Sequence, residues 1–192
     1  IKRNLGINEN NFVIGFVGRV AKEKNLDELF DIYNKIEKDN ITLMIVGDGP
    51  YKDELIKKSK TIKKQIVFTS MIEPKDIHHY YKCFDIFMSC SSSETQGLTY
   101  IEALSSSIPI LCKKDPCLEK VVIDSINGWQ FVNHEEAIQT FNKFYDDKNM
   151  RKTMSNNAQV LSIINFSSSA FCEKVINLYN TTIEEYNKYK RA

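Results

Sequence analysis

Six short apolar runs, separated by glycine- or proline-bearing turns and stretches with helical spacing, constrain this chain more than any other feature. Val13–Gly18, Ile41–Gly47, Gln65–Thr69, Asp85–Ser89, Pro109–Cys112 and Trp129–Val132 read as strands. Between the first two, Leu26, Leu29, Phe30, Tyr33 and Ile36 recur at helical spacing across Asn25–Lys38, with Asn25 suited to cap the helix. Further helices are expected over Tyr51–Thr61, from Pro74, over Gly97–Ser107, and throughout the remainder from Glu135, with His134 as cap. A strand buried on both faces is apolar along its whole length, and strands that alternate with helices pair in parallel. The expected fold is therefore α/β: a doubly wound, Rossmann-like parallel sheet of about six strands, with Trp129–Val132 at an edge.

In such sheets ligands bind beyond the carboxyl ends of the strands, which directs attention to the loops. After the first strand, Gly18-Arg19 and Lys22, Glu23 and Lys24 place fixed positive charge beside a glycine. Arginine offers a planar fork to phosphate oxygens and lysine a point charge, although a solvated basic loop has the same composition. After the second strand, Gly47-Asp48-Gly49-Pro50 is a strong turn signal. No GxGxxG follows any strand, which argues against a dinucleotide enzyme. After the fourth strand, Glu94 lies in a loop, Gly97 marks a helix start and Glu102 lies within that helix. Unpaired N–H groups and the helix dipole favour an anion at such a start, with carboxylates on either side to accept from hydroxyls. On spacing alone the same pair also reads as a capping charge and an exposed helix residue.

Composition narrows the function classes. Hydrophobic residues make up 42% and charged residues 27%, as in globular proteins, and a formal net charge of +1 gives no global field for nucleic acid. The five cysteines are scattered and form no CxxC pair, which suits reduced cytosolic thiols better than disulfides or a zinc site. No apolar run approaches the roughly 20 residues needed to cross a bilayer. Residues 1–11 are polar and read as a linker from an N-terminal domain, 12–165 as the binding domain, and 166–192 as a C-terminal helix with a docking face. The basic run Lys57, Lys58, Lys60, Lys63 and Lys64 could meet anionic lipid, but it also reads as a solvated helix face.

Gly18-Arg19 with Glu23-Lys24, then Val46–Pro50, then Glu94 and Glu102 with seven residues between them, then Asn127-Gly128 occur in order. This set resembles the retaining GT-B glycosyltransferases of family 4 (glycosyl transferases group 1), which include glycogen synthases and diacylglycerol glucosyltransferases. The likeness covers about Asn11–Tyr179 and is to the C-terminal, donor-binding half of the GT-B fold. Three segments depart from the pattern: Ser105–Ile108 stands where small residues and a glycine usually precede the proline, Lys113–Cys117 lacks the usual glycine-rich turn, and Thr95-Gln96-Gly97 replaces Gly-Phe-Gly. The last version is similar to bacterial enzymes that glucosylate diacylglycerol.

The resemblance implies that Arg19 and Lys24 neutralise a donor diphosphate, that Glu94 accepts from the sugar hydroxyls, and that Glu102 holds the ribose. It places Gly18, Gly47 and the Ser70–Ile72 segment, Ile72 included, around the nucleotide, with Gln96, Gly97, Leu98 and Thr99 facing sugar and phosphate. The implied activity is hexose transfer, with retention, from UDP-glucose to a lipid or saccharide acceptor. The acceptor would bind a missing N-terminal domain, so the 192 residues alone would transfer little. No cofactor or essential metal is expected, and the setting is cytoplasmic, peripheral at the inner face of a membrane. A non-catalytic nucleotide-binding regulatory module and a nucleotide-sugar epimerase of the same family are the alternatives.

Overall fold

The computed structural model describes residues 1–191. Six strands, β1 (Phe12–Val17), β2 (Ile41–Val46), β3 (Gln65–Phe68), β4 (Ile86–Ser89), β5 (Ile110–Lys113) and β6 (Gly128–Phe131), form one sheet in the order β3-β2-β1-β4-β5-β6. Every pairing is parallel. All six residues of β1 and of β2 are buried, as unbroken apolar runs between two helical layers must be. β6 is an edge strand, as its weaker run implies.

The helices are α1 (Leu26–Lys35), α2 (Lys52–Ser59), α3 (Ile77–Tyr81), α4 (Leu98–Ser105), α5 (His134–Asp146), α6 (Lys148–Phe166) and α7 (Ser168–Arg191). One face of the sheet is covered by Phe30 and Tyr33 of α1 with Phe141 and Phe144 of α5. The other is covered by Tyr81 of α3, Tyr100 and Leu104 of α4, and Ala158 of α6. Each large side chain so buried contributes about 1.5–3 kcal/mol of transfer free energy.

Three local expectations differ from the structure. Ahead of the final helix expected from residue 166, the stretch from Glu135 is not helical throughout but breaks at Asp147, and Ser167 separates α6 from the final helix; both residues leave the helical region of backbone space. The cap of α5 is Asn133, whose side chain accepts from the Glu136 N–H, and His134 is the first helical residue. Pro74 lies in a turn, and its helix begins only at Ile77. Asn25 does precede α1, but in the left-handed region and without a side-chain cap to the backbone.

Two of the five lysines of the basic run are engaged locally: Lys58 bridges Asp27 and Asp31 at 3.0 Å each, and the Lys64 ammonium lies against the carbonyls of Tyr33 and Ile36. Residues 1–11 fold back on the sheet, with Ile7 buried and Gln65 donating to the Gly6 carbonyl. On α7, Phe171, Leu178 and Tyr186 are all more than half exposed. The expected final helix, 166–192, includes Ala192, which lies outside the described residues. Among the described residues no helix is long and apolar enough to cross a membrane.

The sheet reverses its winding between β1 and β4. Their following loops diverge and leave a crevice at the carboxyl ends, where ligands bind in doubly wound sheets.

Candidate functional site

Two adjoining cavities occupy that crevice and share Val17, Gly18 and Arg19 as a common wall. The larger, about 640 Å³, is walled mainly by Val17, Val46, Met71, Ile72, Ile77 and the backbone of Gly47–Gly49. Its lining is predominantly apolar, and we refer to it as the apolar slot. The smaller, about 230 Å³, is the more polar of the two: beside Phe16 and Val17 it is lined by Arg19, Lys24, Ser89, Glu94 and the start of α4 from Gln96 to Thr99.

The wall depends on close backbone approach. The Gly18 N–H donates to the Val46 carbonyl and the Val20 N–H to the Asp48 carbonyl, so the β1–β2 pairing continues past the strands into the loops. Gly47 has φ +137°, and a Cβ there would lie 2.0 Å from the Gly18 carbonyl oxygen. Only glycine permits this approach. Asp48 turns back on its own loop, where the Lys52 ammonium and the Gly49 N–H hold its carboxyl below the usual carboxylate range.

In the smaller cavity the Lys24 ammonium donates to Glu94 Oε1 at 2.8 Å, and both side chains are mostly buried (22% and 11% exposed). Two groups expected to serve different parts of one ligand are therefore bound to each other. Arg19 is the freer cation: its guanidinium is 69% exposed and lies 3.9 Å from Glu23. Gly97 opens α4 in the left-handed conformation without a side-chain cap. Among the described residues, the N–H groups of Gln96, Gly97, Leu98 and Thr99 have no protein acceptor. Two cations, one carboxylate and an uncapped helix start make this a net-positive recess suited to a polyanion that also carries hydroxyls.

All the residues proposed from the sequence line one of the two cavities except Glu102 and, in its segment, Ser70. Glu102 is exposed on α4, where the Tyr81 hydroxyl donates to its Oε2 at 2.8 Å. His78 and His79 are exposed and stack on one another, away from both cavities.

Sequence reasoning missed Asp115. It is buried at the end of β5, accepts the Cys117 N–H at 2.8 Å on one oxygen and the Glu94 N–H at 3.3 Å on the other. Next to it the Cys117 thiol donates to the Thr95 carbonyl, and Leu118 fills the space where a Gly97 Cβ would stand, at 2.7 Å. The segment without a glycine-rich turn thus braces the Glu94–Gly97 loop from beneath. Its signal was Asp115-Pro116, an Asx cap before proline, which is readable as a turn but not as a support for a loop about twenty residues away.

Residues 1–160 match the family described as glycosyl transferases group 1. The chain is 33% identical over 193 aligned positions to an alpha-monoglucosyldiacylglycerol synthase of Acholeplasma laidlawii, covering 98% of this chain and 48% of that protein. The chain therefore spans about half the length of that relative. Its fold superposes on the crystal structure of Anabaena Alr3699/HepE in complex with UDP-glucose with a TM-score of 0.82 at 20% identity, covering 94% of this chain and 51% of that one. A C-terminal domain of a glycosyl transferase group 1 family protein, LpcC from Francisella tularensis, superposes with a TM-score of 0.73 at 22% identity, covering 82% and 87% of the two chains. At these identities the structural likeness concerns the fold.

Proposed function

The chain belongs to the glycosyl transferases group 1 family, and from that premise we propose that it is the donor-binding half of a retaining hexosyltransferase. Its donor is UDP-glucose and its acceptor a diacylglycerol-type lipid. The observation that carries this reading is the paired cavity: an apolar slot, which suits a base, and a cationic recess, which suits a diphosphate-linked sugar, meet at Gly18–Arg19. The base enters between Ile72 and Gly47. The diphosphate lies between Arg19, Lys24 and the uncapped start of α4, and Glu94 accepts from the sugar hydroxyls. The lipid acceptor is supported by the relative's name, and by that choice the protein works at the cytoplasmic face of a membrane.

In this chemistry the departing nucleoside diphosphate gains charge as the glycosidic bond lengthens. Donors already aimed at those oxygens therefore stabilise the transition state more than the ground state. Neither Glu94 nor Glu102 acts as a general acid or base. The acceptor site belongs to the half of the protein that this chain does not span, so the 192 residues bind donor and transfer little.

Calorimetry on the chain tests the reading. UDP is expected to bind about 10²-fold more tightly than inorganic phosphate, UDP-glucose differently from UDP, and Glu94→Ala is expected to abolish that difference while leaving UDP binding in place. If UDP and phosphate bind alike, the donor reading is wrong. If UDP-glucose binds no differently from UDP in both the wild type and Glu94→Ala, a nucleotide module without sugar chemistry gains.

We also propose that Arg19 and Lys24 take the place of a divalent ion. Transfer by the complete enzyme is then expected to persist, within about twofold, after exhaustive treatment with EDTA, whereas a metal-dependent enzyme loses several kcal/mol of transition-state stabilisation. Recovery of lost activity on adding back magnesium or manganese would contradict this.

A further inference from the structure

We infer that Tyr81 is a positioning residue that fixes the Glu102 carboxylate for a ribose, an inference that rests on the donor-site reading above. Tyr81 is 1% exposed at the end of α3, its ring packed against Phe84 and Phe87 at centroid distances of 5.7 and 6.4 Å. Its hydroxyl lies 2.8 Å from Glu102 Oε2 and 3.0 Å from the Thr99 carbonyl oxygen, both on α4. A phenol has one proton to give, and the carboxylate is the nearer and the charged acceptor. Burial, and secondarily the Glu102 carboxylate, push the Tyr81 hydroxyl well above its ordinary range, so it remains a donor throughout the physiological pH range.

The placement of α3 makes this more than a core contact. Ile77, one turn before Tyr81, lines the apolar slot beside Ile72. One short helix thus shapes the wall of the slot with one side chain and with another tethers a carboxylate that stands one turn along α4 from Leu98 and Thr99, which line the recess. Glu102 is otherwise an exposed glutamate, free to sample several rotamers, and holding it for a ligand costs side-chain entropy. The buried phenol meets that cost in the folded protein. It occupies Oε2 and leaves Oε1, with its lone pairs, to accept from vicinal hydroxyls.

The test is calorimetry on the chain with UDP and with 2′,3′-dideoxy-UDP, which keeps base and diphosphate but lacks the hydroxyls. Tyr81→Phe removes one oxygen and keeps the ring. It is expected to weaken UDP about three- to tenfold, and Glu102→Gln about tenfold or more, a hydrogen bond to a charged group being the interaction lost. Neither change should affect the dideoxy compound by more than about twofold, and the double variant should be no weaker than Glu102→Gln alone. Glu102→Asp, whose shorter carboxylate falls away from the phenol without touching the core, should behave as Tyr81→Phe and serves if that variant is unstable.

If Tyr81→Phe weakens both nucleotides equally, Tyr81 is only a core residue and the inference is overturned. It is overturned equally if Glu102→Gln weakens UDP while Tyr81→Phe and Glu102→Asp do not. If Glu102→Gln itself leaves UDP unchanged while UDP still outbinds phosphate, the donor reading stands and the role given to Glu102 falls.

Discussion

Lys24→Ala is expected to lower kcat for transfer by about 10²–10³-fold in the complete enzyme, the loss that follows removal of one preorganised donor from a developing negative charge. Two effects combine. The departing diphosphate loses a cation, and Glu94 loses the ammonium that now sits 2.8 Å away. At 11% side-chain exposure, the orphaned carboxylate faces the incoming diphosphate in a recess where water screens it poorly. UDP affinity should therefore fall as well. The double variant Lys24→Ala/Glu94→Gln separates the two effects: removing the stranded charge should restore part of the UDP affinity and none of the turnover. Arg19→Ala should show a smaller loss, because its guanidinium is 69% exposed and more flexibly held. Steady-state kinetics paired with UDP calorimetry measure both quantities. Turnover within about twofold of wild type in Lys24→Ala would falsify the role given to this lysine.

Gly47→Ala is the substitution expected to cost most in stability. Its added methyl meets the Gly18 carbonyl oxygen at 2.0 Å, backbone against backbone, at a φ of +137°. Neither side can yield without separating the β1 and β2 loops, whose continued pairing forms the wall between the cavities. A cost of at least about 3 kcal/mol follows from backbone strain and steric overlap together. For a chain of this size that lowers the melting temperature by roughly 6–12 °C. Gly6→Ala is the matched control. It also has positive φ, at +66°, yet its Cβ would meet nothing within 4 Å. It should cost only about 1 kcal/mol, the conformational preference alone. Urea unfolding of the two variants decides the point: equal losses would mean that the close approach is not what demands glycine at position 47.

The strands and their order of burial were legible because a strand covered on both faces must be apolar throughout, as Phe12–Val17 and Ile41–Val46 are. The break at Asp147 was not, although its side chain caps α6 by accepting from the Met150 N–H, because an aspartate within a long stretch of helical spacing also reads as an ordinary exposed helix residue. At the site, Arg19, Lys24, Glu94 and the Gly97 helix start were legible as residue types at the carboxyl ends of strands. The Lys24–Glu94 ion pair was not, since it joins loops after different strands, seventy residues apart. Asp115 and Tyr81 were passed over for a related reason. A buried aspartate before proline and a tyrosine beside histidines have ordinary local explanations, and their work is done on groups that approach only in the folded chain.

By itself, the sequence determined the α/β class, the parallel sheet, the family and the loops that line the crevice. Periodicity, turn chemistry and motif spacing are local properties that survive in one dimension. Only the tertiary structure decided that β1 and β4 are neighbours, that one crevice divides into an apolar slot and a cationic recess, and that Lys24 and Glu94 hold each other there. Which charges neutralise one another, and which carboxylate a buried hydroxyl restrains, depends on distances of a few ångströms between segments that the chain brings together only by folding.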